Sequence, residues 1–310
     1  MSDISLRTRK RRRMLRQILT DWQLYLLVLP AVVYIFLFNY MPMYGVQIAF
    51  RNFRPSKGIW GSQWVGLQFF IKFVKYPHFS KIVLNTLWIS LYGMATFPLS
   101  IILALMLNEL NNEKFKKIVQ MITYAPHFIS TVVLCSMITL FLNKDSGMIN
   151  NIISAFGGKR QAFLEIPACF STIYVWSGVW QGIGWGTIIY ISALAGVPME
   201  QVEAARIDGA SRFQIILHVN VPTIMPTIVI MLIMSCGSVL SVGFDKVYLL
   251  QNPLNMDASN VISTYVYELG LLNGQFSYSA AIGLFNTIVN VVMLLIVNAI
   301  ARRVSEISLW

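Results

Sequence analysis

The chain carries six separate stretches of roughly 20 mainly apolar residues, and nothing else in it limits the fold so strongly. A helix of that length crosses about 30 Å of hydrocarbon, and inside lipid each backbone amide has to be satisfied within the spanning element. The stretches lie near residues 22–41, 83–107, 118–142, 169–194, 221–243 and 280–301. They predict an all-α integral membrane fold with six transmembrane helices. Pro30, Pro98, Pro126 and Pro226 fall inside them, which membrane helices tolerate better than soluble ones do. Composition agrees, with 56% hydrophobic and 12% charged residues against about 25% charged in a soluble domain. No internal repeat or low-complexity tract is present, and no stretch alternates strongly enough for a series of barrel strands.

The net charge of +11 could point to nucleic acid, but its distribution points to a membrane surface. Arg7, Arg9, Lys10, Arg11, Arg12, Arg13 and Arg16 form one run immediately before the first apolar stretch. Such a run fixes orientation and touches anionic lipid, so residues 1–21 are expected to be a basic cytoplasmic tail. Six spans place both termini on one side. With that side inside, 14 of the 24 Lys and Arg are internal, and density decides the matter. Residues 108–117 hold Lys114, Lys116 and Lys117, whereas the outer residues 244–279 hold Lys246 alone. The first stretch is too long for a signal-peptide core and lacks a small-x-small cleavage site, so it is expected to be retained. Cys135, Cys169 and Cys236 show no metal-ligand spacing, and an odd number argues against a complete disulfide framework. They are expected to be small core residues.

The outer segment 43–80 carries Trp60, Trp64, Phe69, Phe70 and Phe73 with Lys72 and Lys75, the composition of a segment lying at headgroup level. The segment 195–220, between the fourth and fifth spans, is punctuated differently. Pro198 suits a first helical turn, Glu200 and Glu203 suit the positive end of a helix, and Gly209 suits a left-handed termination. Ser211 and Gln214 make a capping box, so a second short helix should start at once and run toward Pro222. The two helices are expected to meet through Met199, Val202, Ala205, Phe213, Ile216 and Leu217, leaving Glu203, Arg206, Asp208 and Arg212 polar. On physical grounds alone, the hairpin could be packing material for its own membrane domain.

Its residues match a family pattern. Glu203-Ala204-Ala205, three residues, Gly209, nine residues and then Val219-Asn220-Val221-Pro222 resemble the EAA loop of permease subunits in binding-protein-dependent ABC importers. Ile207-Asp208-Gly209-Ala210-Ser211 and Phe213 strengthen the likeness, as does the position before the penultimate span. The family has Ile and Leu where Val219 and Val221 stand, a conservative departure. Residues 40–53, 64–70 and 176–195 resemble carbohydrate-uptake permeases of the maltose-importer type, in feel the Gram-positive branch associated with oligosaccharides and polysaccharide fragments.

The resemblance implies a type I ABC importer transmembrane domain over residues 22–310, with the cytoplasmic coupling hairpin at 195–220. Glu203, Ala204, Ala205, Asp208 and Gly209 would couple to an ATPase. Small Ala side chains permit close docking, and Gly supplies the positive φ of the turn. The implied partners are a second homologous permease, two ABC ATPase subunits, an extracellular solute-binding protein and membrane lipid, with no nucleic acid. This chain would bind no cofactor, since ATP and Mg would sit on the ATPase. The implied location is the bacterial cell membrane.

Other constellations divide between packing and function. Gly178, Gly182 and Gly186 repeat every four residues along one helix face, which ordinarily means close helix packing and alternatively a groove for substrate. Sugar sites want aromatic faces and hydroxyl partners. His127, Thr131, Trp180, Gln181, Trp185, Ser235 and Ser238 are the candidate substrate path, since the family places its sugar site in these spans, with Trp176 and Ser241 nearby. Catalysis is excluded in outline. No carboxylate pair lies in mid-span, and Gly158-Lys159 lacks the rest of a phosphate-binding loop. Missing intramembrane carboxylates argue against a proton-driven carrier. Two alternatives stay open, a permease for another solute class such as phosphate or amino acids, and a non-transporting membrane scaffold or sensor.

Overall fold

A computed structural model describes residues 20–305. The basic run at Arg7–Arg16 lies outside the described residues. The chain divides into two compact units at Gln68 and Phe69, a division that nothing in the sequence signals.

The first unit opens with α1 (Trp22–Ile35), which buries none of its residues and continues through a π turn (Phe36–Tyr40) and a 3-10 stretch (Met41–Phe50) as one apolar run. A helix apolar all round and buried nowhere suits lipid or another apolar surface. Arg51 turns extended, and β1 (Arg51–Arg54) pairs antiparallel with β2 (Gly58–Trp64) across a turn closed by Gly58 at φ +65°. Ser62, buried within the hairpin, accepts from Arg54 N at 3.0 Å and donates to Gly58 O at 2.6 Å. The Arg51 guanidinium lies 5.3 Å from the Trp60 ring and 5.5 Å from that of Trp64. The expected interfacial segment therefore contains a small sheet. Its strands are short and bulged between Asn52 and Arg54, so the period-two signal never develops.

The second unit holds the remaining spans. After α2 (Gln68–Val74), α3 (Phe79–Ala95) and α4 (Pro98–Asn108) make one 30-residue run with a turn at Thr96 and Phe97. The third span, expected to be continuous over 118–142, is instead α5 (Glu113–Tyr124) and α6 (Thr131–Phe141), bent by 99°. Pro126 sits in the 3-10 turn at Ala125–Phe128, Ile129 is extended, and Ser130 caps α6 by accepting from Val133 N. Helix α7 (Met148–Ala155) precedes α8 (Pro167–Leu194), the 28-residue axis of the unit. That helix packs against α3, α4 and α5 and against α11, defined below.

Past α8 the chain bends by 81° into α9 (Met199–Ile207). Then α10 (Arg212–Ile215), a π stretch (Ile216–Asn220) and α11 (Val221–Cys236) form one continuous 25-residue helix. The second hairpin helix is thus the start of the fifth span and does not stop at Pro222. The π stretch lets Val221 N–H reach Ile216 O, so the ring of Pro222 is accommodated without breaking the helix. The fifth span ends at Cys236, short of the expected residue 243. Beyond it the Leu240 N–H is satisfied by Asn290 Oδ1 at 2.9 Å. Three short helices follow, α12 (Phe244–Leu250), α13 (Met256–Ser259) and α14 (Ile262–Tyr267), before α15 (Phe276–Ser305) completes the sixth span. Among the described residues, four helical runs are long and apolar enough to span alone, and the two bent pairs raise the number to six.

One end of the second unit is stitched by polar bonds. Asn252 and Asn255 each donate to Leu164 O at 2.8 Å, Asn85 donates to Asp257 O at 3.0 Å, and Lys81 pairs with Asp257. Fully buried Asn150 donates to Asn143 O and Gln161 O and accepts from Gln161 N, closing the loop around α7. Residues 78–86, 143–165 and 251–262 are therefore on one side, as the six-span order requires.

Candidate functional site

The hairpin after α8 is built by local rules. Helix α9 ends in a Schellman arrangement, with Ala210 N bonded to Ala205 O at 2.9 Å, Gly209 N bonded to Arg206 O at 3.1 Å, and Gly209 at φ +81°. Ser211 N then donates to Gln214 Oε1 at 2.7 Å and Gln214 N donates to Ser211 Oγ, the expected capping box. The packing differs from expectation. Val202 and Ile215 are the buried residues of α9 and α10, while Met199, Phe213 and Leu217 are exposed, and so is Ile207 at 85%. Glu203, Ala204, Asp208 and Gly209 are exposed and Ala205 is half-buried. The hairpin therefore presents apolar side chains outward beside its charges. The reason is geometric, because the 81° bend turns only one face of α9 toward the membrane unit.

A cavity of about 990 Å³ opens along α8, walled by the α3–α4 turn (Gly93, Thr96, Phe97, Ser100), by α11 (Met231, Ser235) and by Lys246 of α12. A second, of about 310 Å³, shares Gly93, Phe97, Tyr174 and Ser235 with it and adds Ser238 and Ser241. Of the sequence candidates, Gln181, Trp185, Ser235 and Ser238 line these spaces. His127 stacks on Trp185 with ring centroids 4.3 Å apart and planes 4° from parallel. Gln181 donates to Ile129 O at 2.8 Å, satisfying the carbonyl that the break in the third span leaves free. Trp180, Thr131 and Trp176 are not in the cavity wall, and Trp176 donates instead to Tyr92 Oη at 2.9 Å.

The glycine row lines a cavity and also packs closely at one of its three positions. Gly178, Gly182 and Gly186 all line the larger cavity; a Cβ at Gly182 would meet nothing within 4 Å, whereas one at Gly186 would press on Ser100 Oγ at 2.7 Å. The closest helix approach is at Gly184, outside the row, where a Cβ would overlap the Thr123 carbonyl of α5.

Sequence reasoning missed Lys246. It is 9% exposed, donates to Tyr174 O at 2.7 Å, and lies 4.7 Å from the Tyr174 ring. Burial pushes its ammonium down to about 8, and Cys135 beside it acts the other way. The one available signal was its isolation, a single basic residue in a long segment that otherwise has none.

Residues 96–306 match the family described as binding-protein-dependent transport system inner membrane component. The chain is 40% identical over 302 residues to the polygalacturonan/rhamnogalacturonan transport system permease protein YteP of Bacillus subtilis (strain 168), covering 97% of this chain and 94% of that one. It is also 40% identical over 291 residues to Protein LplB of the same organism, covering 94% and 92%. Its structure resembles a chain of a bacterial alginate ABC transporter in complex with alginate pentasaccharide-bound periplasmic protein, with TM-score 0.87, 35% identity, and coverage of 96% and 100%.

Proposed function

Because the chain belongs to the family of binding-protein-dependent transport system inner membrane components, we propose that it forms half of a pathway carrying an oligosaccharide into a bacterial cell. It is a multi-pass permease subunit of an ATP-driven importer, and ATP is hydrolysed by a separate subunit. The observation that carries the cargo reading is the cavity along α8. Its wall joins Trp185, Tyr174 and Phe97 to Ser100, Gln181 and Ser235, the mixture of ring faces and hydrogen-bonding groups that a pyranose chain requires.

In this reading a second homologous permease supplies the other half of the pathway. Two ATPase subunits hold ATP and Mg, an extracellular solute-binding protein delivers cargo, and lipid covers the apolar flanks. This chain itself binds neither cofactor nor nucleic acid. The hairpin docks on the ATPase through Met199, Ile207 and Phe213, whose exposure leaves an apolar surface to cover. Glu203, Ala204, Ala205, Asp208 and Gly209 form the coupling segment. Both termini and the hairpin face the cytoplasm, supported by the charge asymmetry around the spans.

The test is uptake by proteoliposomes holding the whole assembly, offered saccharides, amino acids and phosphate. ATP-dependent uptake of a saccharide is expected, and uptake restricted to amino acids or phosphate overturns the cargo reading. Orientation is checked with cysteines introduced at Arg206, Lys57 and Gln251. The first should react with a membrane-impermeant reagent from the cytoplasmic side only, and the other two from outside only.

A further inference from the structure

We propose that Lys246 is a carboxylate-binding residue of the translocation cavity, and that the cargo is therefore an acidic saccharide, one whose sugars bear uronate groups. The inference rests on the saccharide reading above and deepens it.

Lys246 is the sole charged residue among those lining the larger cavity, and no acidic residue shares that wall. Among the described residues the ion pair is Lys81 with Asp257, so the Lys246 ammonium has no carboxylate within 4.0 Å. A buried charge without a counter-charge is unfavourable and is seldom kept as packing material. Of its three N–H donors, one reaches Tyr174 O at 2.7 Å. That bond holds the ammonium over the Tyr174 ring, fixing where the charge stands in the wall.

The surface beside it is bare. A Cβ at Gly178 would stand 3.2 Å from Lys246 Nζ, so the missing side chain is what leaves the ammonium open on its cavity side. One helical turn farther, Gly182 has nothing within 4 Å, and Trp185 offers a flat face on the same wall. A lysine fixed by one bond, with free donors toward a cavity that also offers hydroxyls and aromatic faces, suits a sugar carrying a carboxylate. A neutral sugar would leave the ammonium unpaired. The same chemistry stands in the names of two similar proteins, whose cargoes are polygalacturonan/rhamnogalacturonan and the acidic polysaccharide alginate.

The whole assembly in proteoliposomes is compared for wild type, Lys246→Met and Lys246→Arg. The probes are radiolabelled trigalacturonate, trimannuronate and neutral arabinotriose. Assembly yield and basal ATPase activity are measured alongside. Wild type should import an acidic trisaccharide. Lys246→Met should assemble normally yet import it about tenfold more slowly or worse, as expected for loss of one charge-assisted hydrogen bond. Lys246→Arg, which keeps the charge, should recover a substantial part of the rate. Three results overturn the inference: acidic uptake by Lys246→Met at the wild-type rate, equal loss in the Met and Arg variants in step with assembly yield, or wild-type uptake of arabinotriose alone. The last leaves the saccharide reading standing. Uptake of none of the three by wild type, with amino acids or phosphate carried instead, overturns that reading and this inference together.

Discussion

Gly209 separates backbone strain from steric overlap more cleanly than any other position in the hairpin. It holds φ at +81°, and a Cβ built there would meet nothing within 4 Å. A substitution therefore acts through the left-handed backbone alone. Alanine in that conformation costs about 1–2 kcal/mol, a factor of about 5–30 in the equilibrium between the native turn and alternatives. Valine, β-branched, belongs at the upper end of about 1–3 kcal/mol, while asparagine visits the region routinely and should be mild. If α9 must be in place to dock, apparent affinity for the ATPase falls by the fraction of hairpins that lose the turn. The expected order of loss is Asn, then Ala, then Val. Membrane abundance should stay near wild type, because the six spans do not depend on this turn. The assay is uptake, membrane level and ATPase co-purification for the three variants. Wild-type uptake with normal ATPase binding in Gly209→Val would remove the coupling role. Equal damage from Asn and Val would refute the conformational argument, since their cost at positive φ differs.

Gly184→Ala should lower the thermal midpoint of the purified protein, because the new methyl meets the Thr123 carbonyl, an overpacking of about 1–3 kcal/mol. Gly182→Ala, with open space around it, should leave the midpoint unchanged, and equal shifts in both would undo the packing argument. Asn150→Ala should leave the Gln161 N–H and C=O without their side-chain partner. A loss of about 2–3 kcal/mol and faster protease cutting between Asn143 and Gln161 are expected, and an unchanged digestion rate would show that the loop does not depend on this hub. Glu203→Lys reverses an exposed charge in the N-terminal half of α9. It should weaken ATPase co-purification without reducing membrane level, and normal co-purification would count against docking through this face.

The parts of the fold legible in the sequence are those governed by short-range rules. Six apolar stretches, the turn at Gly209 and the capping box at Ser211 each depend on residues within a helical turn or a span length, so one-dimensional reading finds them. The break in the third span was harder. Pro126 is tolerated inside many membrane helices, and only its combination with Ser130 as a cap and with Gln181, 52 residues away, to take up the Ile129 carbonyl makes a 99° bend stable. Pro222 failed as a stop signal for the complementary reason. A π stretch absorbed it, and no local rule distinguishes a proline that ends a helix from one that follows a π turn. Met199 and Phe213, exposed in the structure, read in one dimension as the inside of the hairpin, because apolar residues at helical spacing ordinarily face a core and an exposed apolar patch has the same spacing.

Lys246 also bears on the topology of the chain. In one dimension it is an outer charge, counted against a cytoplasmic N-terminus. In the structure it is held by Tyr174, 72 residues earlier, and lines the cavity. The positive-inside bias reflects charges flanking the spans, and a lysine buried in the wall of a cavity is a poor member of that set. Without it, residues 244–279 contain no other Lys or Arg, whereas residues 108–117 keep Lys114 and Lys117, both exposed, and the half-buried Lys116. The charge asymmetry that supports a cytoplasmic N-terminus is therefore steeper than the raw count, and the residue that weakened the topology argument becomes the one on which the proposed charge of the cargo rests.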